Sequence, residues 1–382
     1  MMRRTMKSIY VIACLVITLV SCRKDDKTLE EEVVPVPEQP VITVEGFYLL
    51  NEGNMGTNMS TLDYYDYAGG IYRSNIYAAA NPSAVKELGD VGNDIGIYGS
   101  KLYAVINASN KVEVMDAGTT KRLGIITIQN CRYVTFAKGK AYVSAYDGNI
   151  QLGTGSPNGF VAEIDTNTLQ ITRKVTVGRQ PEEMAIVGNK LYITNSGGYD
   201  PAHYERTVSV IDLNSFTKIK DIDVAINLHR LKADSSGNLY VTSRGDYQDI
   251  PSKLFVLNTQ TEAITKTFDI AAANLAITGD TAYIVGSQFS YATLSWTVTY
   301  NMINVKTQTL LNKNFITDNT HTDIHTPYGL AVDPVSRNIY ITDAKDYVSS
   351  GTLYGYTKEG KRFLSTTTGN IPAHIAFKTK TK

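Results

Sequence analysis

The chain has 382 residues, 43% hydrophobic and 19% charged, a composition that excludes an intrinsically disordered polymer. Basic and acidic residues balance at 37 each, so the cationic excess of a nucleic-acid-binding surface is absent and no nucleic-acid partner is expected. Twenty-five tyrosines against 10 phenylalanines and one tryptophan favour strands, and their rings, apolar with a polar tip, also suit a binding face.

At the start of the chain, Arg3, Arg4 and Lys7 precede an apolar stretch over residues 9–20, short for the roughly 30 Å of a bilayer core. Leu19-Val20-Ser21-Cys22 closes it, and the whole resembles a bacterial lipoprotein signal: residues 1–21 are cleaved and Cys22 is the lipidation site. Processing takes away three of the 37 basic residues and no acidic one, leaving a net charge of about −3. Residues 22–42 run from Arg23-Lys24-Asp25-Asp26-Lys27 through Glu30-Glu31-Glu32 to three prolines. That composition cannot bury a core and reads as an extended tether; the acidic residues beside Cys22 resemble an export tag for the cell surface. Cys14 leaves with the signal and Cys22 carries lipid, so Cys131 has no intramolecular partner and reads as a small buried residue.

Residues 43–382 repeat one unit: an apolar strand, a glycine-containing turn, and a second strand with tyrosine near its start. Met184-Ala185-Ile186-Val187, Gly188-Asn189-Lys190 and Leu191-Tyr192-Ile193-Thr194-Asn195 form the clearest copy, with Val208-Ser209-Val210-Ile211-Asp212 as a third strand. Tyr48, Tyr103, Tyr142, Tyr192, Tyr240, Tyr283 and Tyr340 index seven copies. Their rings are expected to fill the gaps between units, each hydroxyl finding a partner. The fold expected is all-β, a seven-bladed β-propeller. The first unit lacks its first strand, and Pro372-Ala373-His374-Ile375-Ala376-Phe377 supplies it, closing the ring.

In such a ring the residues entering each innermost strand and the loops leaving each second strand share one face. Just before the innermost strands stand Asp94, Tyr133, Glu183, Arg230, Asn274, Gly329 and His374, with Asn93, Arg132, Glu182, His229, Ala273 and Tyr328 among those one place earlier. Long loops are expected over residues 51–59, 146–158, 195–206, 244–251, 286–295 and 343–350, and loops of this length are commonly functional. They carry Asn51, Glu52, Asn54, Tyr146, Tyr199, Tyr204, Arg244, Tyr247, Phe289, Tyr291 and Tyr347. Aromatics beside asparagine and arginine make a surface for a large polar, ring-containing ligand. The ligand-binding set is therefore Asn51, Glu52, Asn54, Asp94, Tyr133, Tyr146, Glu183, Tyr199, Arg230, Arg244, Tyr247, Asn274, Phe289, Tyr291, Tyr328 and His374.

Metal and nucleophile signals are weaker. His321, Asp323 and His325 would share one face of an extended segment, without an evident fourth ligand. Asp94, Glu183 and Asn274 offer oxygens for calcium, which Arg230 in the same ring would repel. No Ser-His-Asp spacing, phosphate loop or paired-cysteine motif occurs, so no catalytic residue, catalytic cofactor or metal is expected, and the chain reads as a non-enzyme.

The Leu-Tyr-Ile-Thr-Asn and Val-Ser-Val-Ile-Asp strands, with Gly178-Arg179-Gln180-Pro181 leading into the next unit, resemble the YncE-like seven-bladed propellers over about residues 43–382. Leu50-Asn51-Glu52-Gly53-Asn54 followed by Ser60-Thr61-Leu62-Asp63-Tyr64-Tyr65-Asp66, together with the lipidation signal and tether, resembles the surface lipoproteins that include the BtuG cobalamin-binding family. That resemblance implies a lipid-anchored protein on the outside of the outer membrane. Such a protein binds cobalamin (vitamin B12) or a related corrinoid on the propeller face and passes it to a TonB-dependent barrel, with the domain monomeric by itself. The alternatives are a propeller platform binding another nutrient, a glycan or a surface protein, and a calcium-dependent lactonase-like enzyme.

Overall fold

The computed structural model describes residues 41–84, 87–149, 152–153, 155–290, 295–311 and 313–381, with backbone alone at 288–290 and 295. The expected signal, Cys22 and most of the tether lie outside the described residues, as does Tyr291 and the side chain of Phe289.

Seven four-stranded antiparallel sheets, the blades, surround a central channel. The innermost strands, in chain order from blade 2, are Gly92–Tyr98, Cys131–Ala137, Pro181–Val187, Leu228–Ala233, Asn274–Thr278, Pro327–Val332 and, in blade 1, Pro372–Thr381. This last strand pairs with Ile42–Asn51, placing Phe47 opposite Phe377 and Leu49 opposite Ile375. The C-terminal strand thus completes blade 1 as expected, and pairing the two ends of the domain in one sheet leaves no radial edge open.

Burial explains the strand sequences. The second strand of each blade is covered on both sides, so Lys101–Ile106 and Lys190–Asn195 are buried from their second residue onward and read as nearly unbroken apolar runs. Outermost strands such as Thr217–Asp223 face water and are mostly polar. Apolar clusters lie between blades; one joins Tyr192, Val208 and Val210 of blade 4 to Leu228, Leu231 and Leu239 of blade 5. All seven index tyrosines sit in these seams, at most 6% exposed. Tyr48 donates to the Ala117 carbonyl at 2.6 Å, but the Tyr103 hydroxyl is buried without a partner, against the expectation that each would find one.

Two faces follow from strand direction. The upper face gathers the starts of the innermost strands and the loops between second and third strands; the lower face holds the hairpins between first and second and between third and fourth strands. One expected upper loop is not a loop. Over residues 286–295 the strands Thr281–Ser290 and Ser295–Asn304 continue as a ladder, Gly286 opposite Thr299 and Phe289 opposite Trp296, so blade 6 raises a hairpin above its neighbours. Alternating Thr, Val, Trp and Tyr residues there favour strand over irregular structure.

Candidate functional site

The ring residues do not precede the innermost strands but lie within their first turns, at β-bulges. Pairing slips between Gly92 and Asp94, Cys131 and Val134, Pro181 and Met184, Leu228 and Leu231, and Pro327 and Leu330. A bulge puts an extra residue against one partner and re-aims side chains, here toward the channel mouth. The second strands hold these bulges. Ser144 Oγ accepts the Tyr133 N–H at 3.2 Å and donates to the Glu182 carbonyl of the next blade at 2.9 Å; Thr342 Oγ1 does the same between Gly329 (2.7 Å) and Pro372 (2.5 Å). Each of these hydroxyls stands two residues after an index tyrosine, and the Tyr-x-Ser/Thr pattern recurs at Tyr192 and Tyr240, so it holds the ring in four of the seven units.

At the upper mouth the bulges and loops enclose a cavity of about 670 Å³. Of the expected binding residues, Glu52, Tyr133, Arg230, Arg244, Tyr247 and Tyr328 line it. They are joined by Asn93, Arg132, His229, Gln248, Ile250, Trp296 and Tyr347, among others. Arginines come from blades 3 and 5, whereas Tyr247, Trp296 and Tyr347 form an aromatic rim from blades 5, 6 and 7. Trp296 is 64% exposed and Tyr247 60%. Tyr247 sits at φ 61° and Tyr347 at φ 62°, a left-handed conformation uncommon for tyrosine. Asp246 and Asp346, each one residue earlier, accept backbone N–H groups that fold the two loops alike. Gly245, at φ +66°, allows the Ile250 carbonyl to pack where a Cβ would stand 1.9 Å away.

Beneath the rim, Glu182 is almost fully buried between blades. Its Oε2 accepts from Arg132 at 2.9 Å; its Oε1 accepts from Tyr146 at 3.0 Å, Ser196 at 3.2 Å and Arg244 at 3.4 Å. Burial opposes its charge, but Arg132 and Arg244 with these hydrogen bonds prevail and hold the carboxyl at about 2. Arg230 donates to the Tyr133 hydroxyl at 3.3 Å, and that hydroxyl lies 2.9 Å from His229 Nε2. Burial, reinforced by Arg244, Arg230 and Arg132, holds His229 well below the usual histidine range, so the ring is neutral at pH 7. Arginine only donates, so the Tyr133 proton is free to point at Nε2, which assigns the ring proton to Nδ1. Burial also pushes the Tyr133 hydroxyl up to about 12, keeping it protonated.

The other expected residues hold the ring together without lining the cavity. Asn51 is fully buried and donates to Asp63 at 2.8 Å; Asn54 donates to the Tyr347 carbonyl, tying two upper loops. Tyr146 packs edge-on against Tyr199 at 5.9 Å, behind Glu182. Asp94 accepts the Val134 N–H at 2.9 Å, Glu183 accepts the Leu231 N–H at 2.7 Å and Lys232 at 2.6 Å, and Asn274 donates to the Tyr328 carbonyl at 2.9 Å. Each of these three bridges its blade to the next, so the trio that sequence offered as calcium ligands is engaged in clips around the channel. His374 lies between Glu52 (3.3 Å) and Asp94 (3.7 Å), and Tyr328 donates to Glu52 at 2.9 Å.

The segment with His321 and Asp323 is a 3₁₀ turn, Thr320–Asp323, not an extended strand. At three residues per turn His321 and Asp323 point apart: the His321 ring packs at Tyr300 and Asp323 pairs with Arg362 at 2.5 Å. Among the described residues no three His, Cys, Asp or Glu side chains gather as a metal site. Cys131 is buried, and burial pushes its thiol up to about 12.

Trp296, Gln248 and Ile250 are among the lining residues that sequence reasoning passed over. The tryptophan was hidden by reading a hairpin as a loop; the other two stand beside Tyr247 in a loop already singled out.

The class defined by this architecture is a seven-bladed β-propeller with a ligand-sized cavity at its upper mouth. The chain belongs to the DUF5074 family, a domain of unknown function, which matches residues 45–380. No curated protein matches it significantly. Among solved structures, it is similar to a quinonprotein alcohol dehydrogenase-like protein from Bacteroides thetaiotaomicron, at 15% identity over 87% of this chain and 78% of that one, with a TM-score of 0.62. The hydrazine synthase of Kuenenia stuttgartiensis aligns at 15% identity over 75% of this chain and 89% of that one, TM-score 0.60. A protein from Lactobacillus plantarum aligns at 12% identity over 88% and 100%, TM-score 0.56. At these identities the likeness is one of fold.

Proposed function

We propose that the protein is a non-enzymatic capture protein that binds a ring-containing ligand at the upper mouth, with cobalamin or a related corrinoid as the ligand. The supporting observation is the cavity of about 670 Å³ in which buried arginines meet an exposed Tyr247–Trp296–Tyr347 rim. A corrinoid is flat and edged with amides. Its macrocycle would lie across the aromatic rim while peripheral groups enter the cavity, where Asn93, Gln248 and the arginines supply hydrogen bonds. The N-terminal sequence supports anchoring through Cys22 at the cell surface, with the tether keeping the domain within reach of a TonB-dependent barrel that takes the ligand on.

The chain has one tryptophan, and it stands at the rim, so its emission reports on the cavity directly. Titration with cyanocobalamin is expected to give saturable heat and quenched Trp296 emission at micromolar concentrations; their absence removes the corrinoid. Labelling cells with a fatty-acid analogue should mark the wild-type chain and leave Cys22→Ser unlabelled.

A platform for another surface protein is the second reading, favoured by the exposed apolar side chains Met55, Met59, Ile250 and Val348 on the same upper loops. Recovery of a barrel-free protein partner, with capture indifferent to added corrinoid, would establish it.

A further inference from the structure

The charged groups of the mouth are paired unequally. Glu182 is shared by Arg132 and Arg244, Glu183 is taken by Lys232, and Glu52 and Asp94 flank His374. Arg230 has no carboxylate within 4.0 Å among the described residues, although it is only 8% exposed. Its single side-chain hydrogen bond is the one to Tyr133, over whose ring it lies at 5.5 Å, and its Nε is buried with no partner. A guanidinium carries five N–H donors in one plane, and a buried donor left unmade is costly, so an arrangement like this calls for an acceptor. Glu183 and Asp94 support its charge from beyond contact distance, and neutral His229 adds none. The group lines the same cavity as Tyr247, Trp296 and Tyr347.

We infer that Arg230 is an oxyanion-binding residue: the cavity takes a compound with a planar ring body and a carboxylate or phosphate. The oxyanion meets the unused N–H groups of Arg230, and the ring lies against Trp296 and the two rim tyrosines. This rests on the reading of the mouth as a ligand site. A charged acceptor is selected over a neutral carbonyl because it adds ion-pair attraction to the guanidinium hydrogen bonds and can accept them in a bidentate pair.

The purified chain is titrated at low ionic strength with benzoate, phenyl phosphate and the neutral benzamide, reading heat and Trp296 emission. At least one anion is expected to bind about tenfold more tightly than benzamide, benzoate leading if the natural group is a carboxylate and phenyl phosphate if it is a phosphate. Arg230→Gln should abolish the preference, bringing both anions to the level at which the variant binds benzamide. Arg230→Lys keeps the charge, loses the planar fork, and should fall between; it carries the test if the glutamine variant does not fold. Equal binding of all three compounds, or an undiminished anion preference in the variants, overturns the inference. Cyanocobalamin, which carries a phosphodiester, is titrated in parallel. If it fails to bind while an anion succeeds, the corrinoid falls and the oxyanion site stands. If it binds wild type and both Arg230 variants equally, the corrinoid stands and the oxyanion site falls.

Discussion

The two faces of the propeller are made by the same strands and differ in what joins them. Below, one turn is used again and again: Asp116, Asp165, Asp212, Asn258 and Asn304 each end a third strand and accept the backbone N–H groups two and three residues on. These turns cap their own backbone N–H groups locally, and neighbouring blades only add bonds to their carbonyls, as Tyr48 does at Ala117 and Arg173 at Ser215. Above, loops differ in length and sequence, two tyrosines adopt left-handed backbone, and buried charges are paired across blades, as Glu182 of blade 4 is by Arg132 of blade 3 and Arg244 of blade 5. Repetition marks the face that only folds; irregularity and long-range pairing mark the face that can bind.

That contrast can be broken most forcefully at Glu182. Glu182→Gln takes the carboxylate from two half-buried guanidinium groups, and denaturant unfolding should show a loss of about 3 kcal/mol. Trp296→Ala should act oppositely, weakening ligand binding by about 2 kcal/mol in a titration while stability stays within about 0.5 kcal/mol, since the ring is largely exposed. Acidification separates the faces by another route. Folded His229 stays neutral where an unfolded histidine titrates near 6.5, so the unfolded chain gains the proton and stability falls as pH drops below that value. Glu182, lowered to about 2 from 4.5, adds stability present above pH 4.5 and lost as pH falls from there through 2. His229→Gln should therefore flatten the upper part of this loss, by up to about 1.4 kcal/mol per pH unit in unfolding curves taken between pH 6.5 and 5. The smallest effect belongs below: Asn258→Ala should cost about 1 kcal/mol and leave ligand titrations unchanged.

How much of this was legible beforehand varied with the reach of the interactions. Tyr133, Arg230 and Arg244 were found because their places follow from strand order, which the tyrosine ruler reveals. Tyr146 and Asn51 share the same signals yet serve packing, because Glu182 of the next blade claims the Tyr146 hydroxyl and Asp63 on the adjoining strand of blade 1 claims the Asn51 amide. The blade 6 ladder was misread because its strands run past the length of those in the other units, and the repeat placed a loop where their alternating Thr, Val, Trp and Tyr residues continue the pairing.

Sequence alone determined the all-β class, the seven units and the strand that closes them, since these rest on periodicity and on residues near one another in the chain. Only the tertiary structure decided which mouth residues are spent on one another and which are free for a ligand. Glu182 and Glu183 are neighbours in sequence, yet one binds arginines from two other blades and the other a single lysine, while Arg230 keeps open donors. Pairing of charges depends on distance through space at the channel, where Tyr328 and Glu52, 276 positions apart along the chain, come within hydrogen-bonding reach.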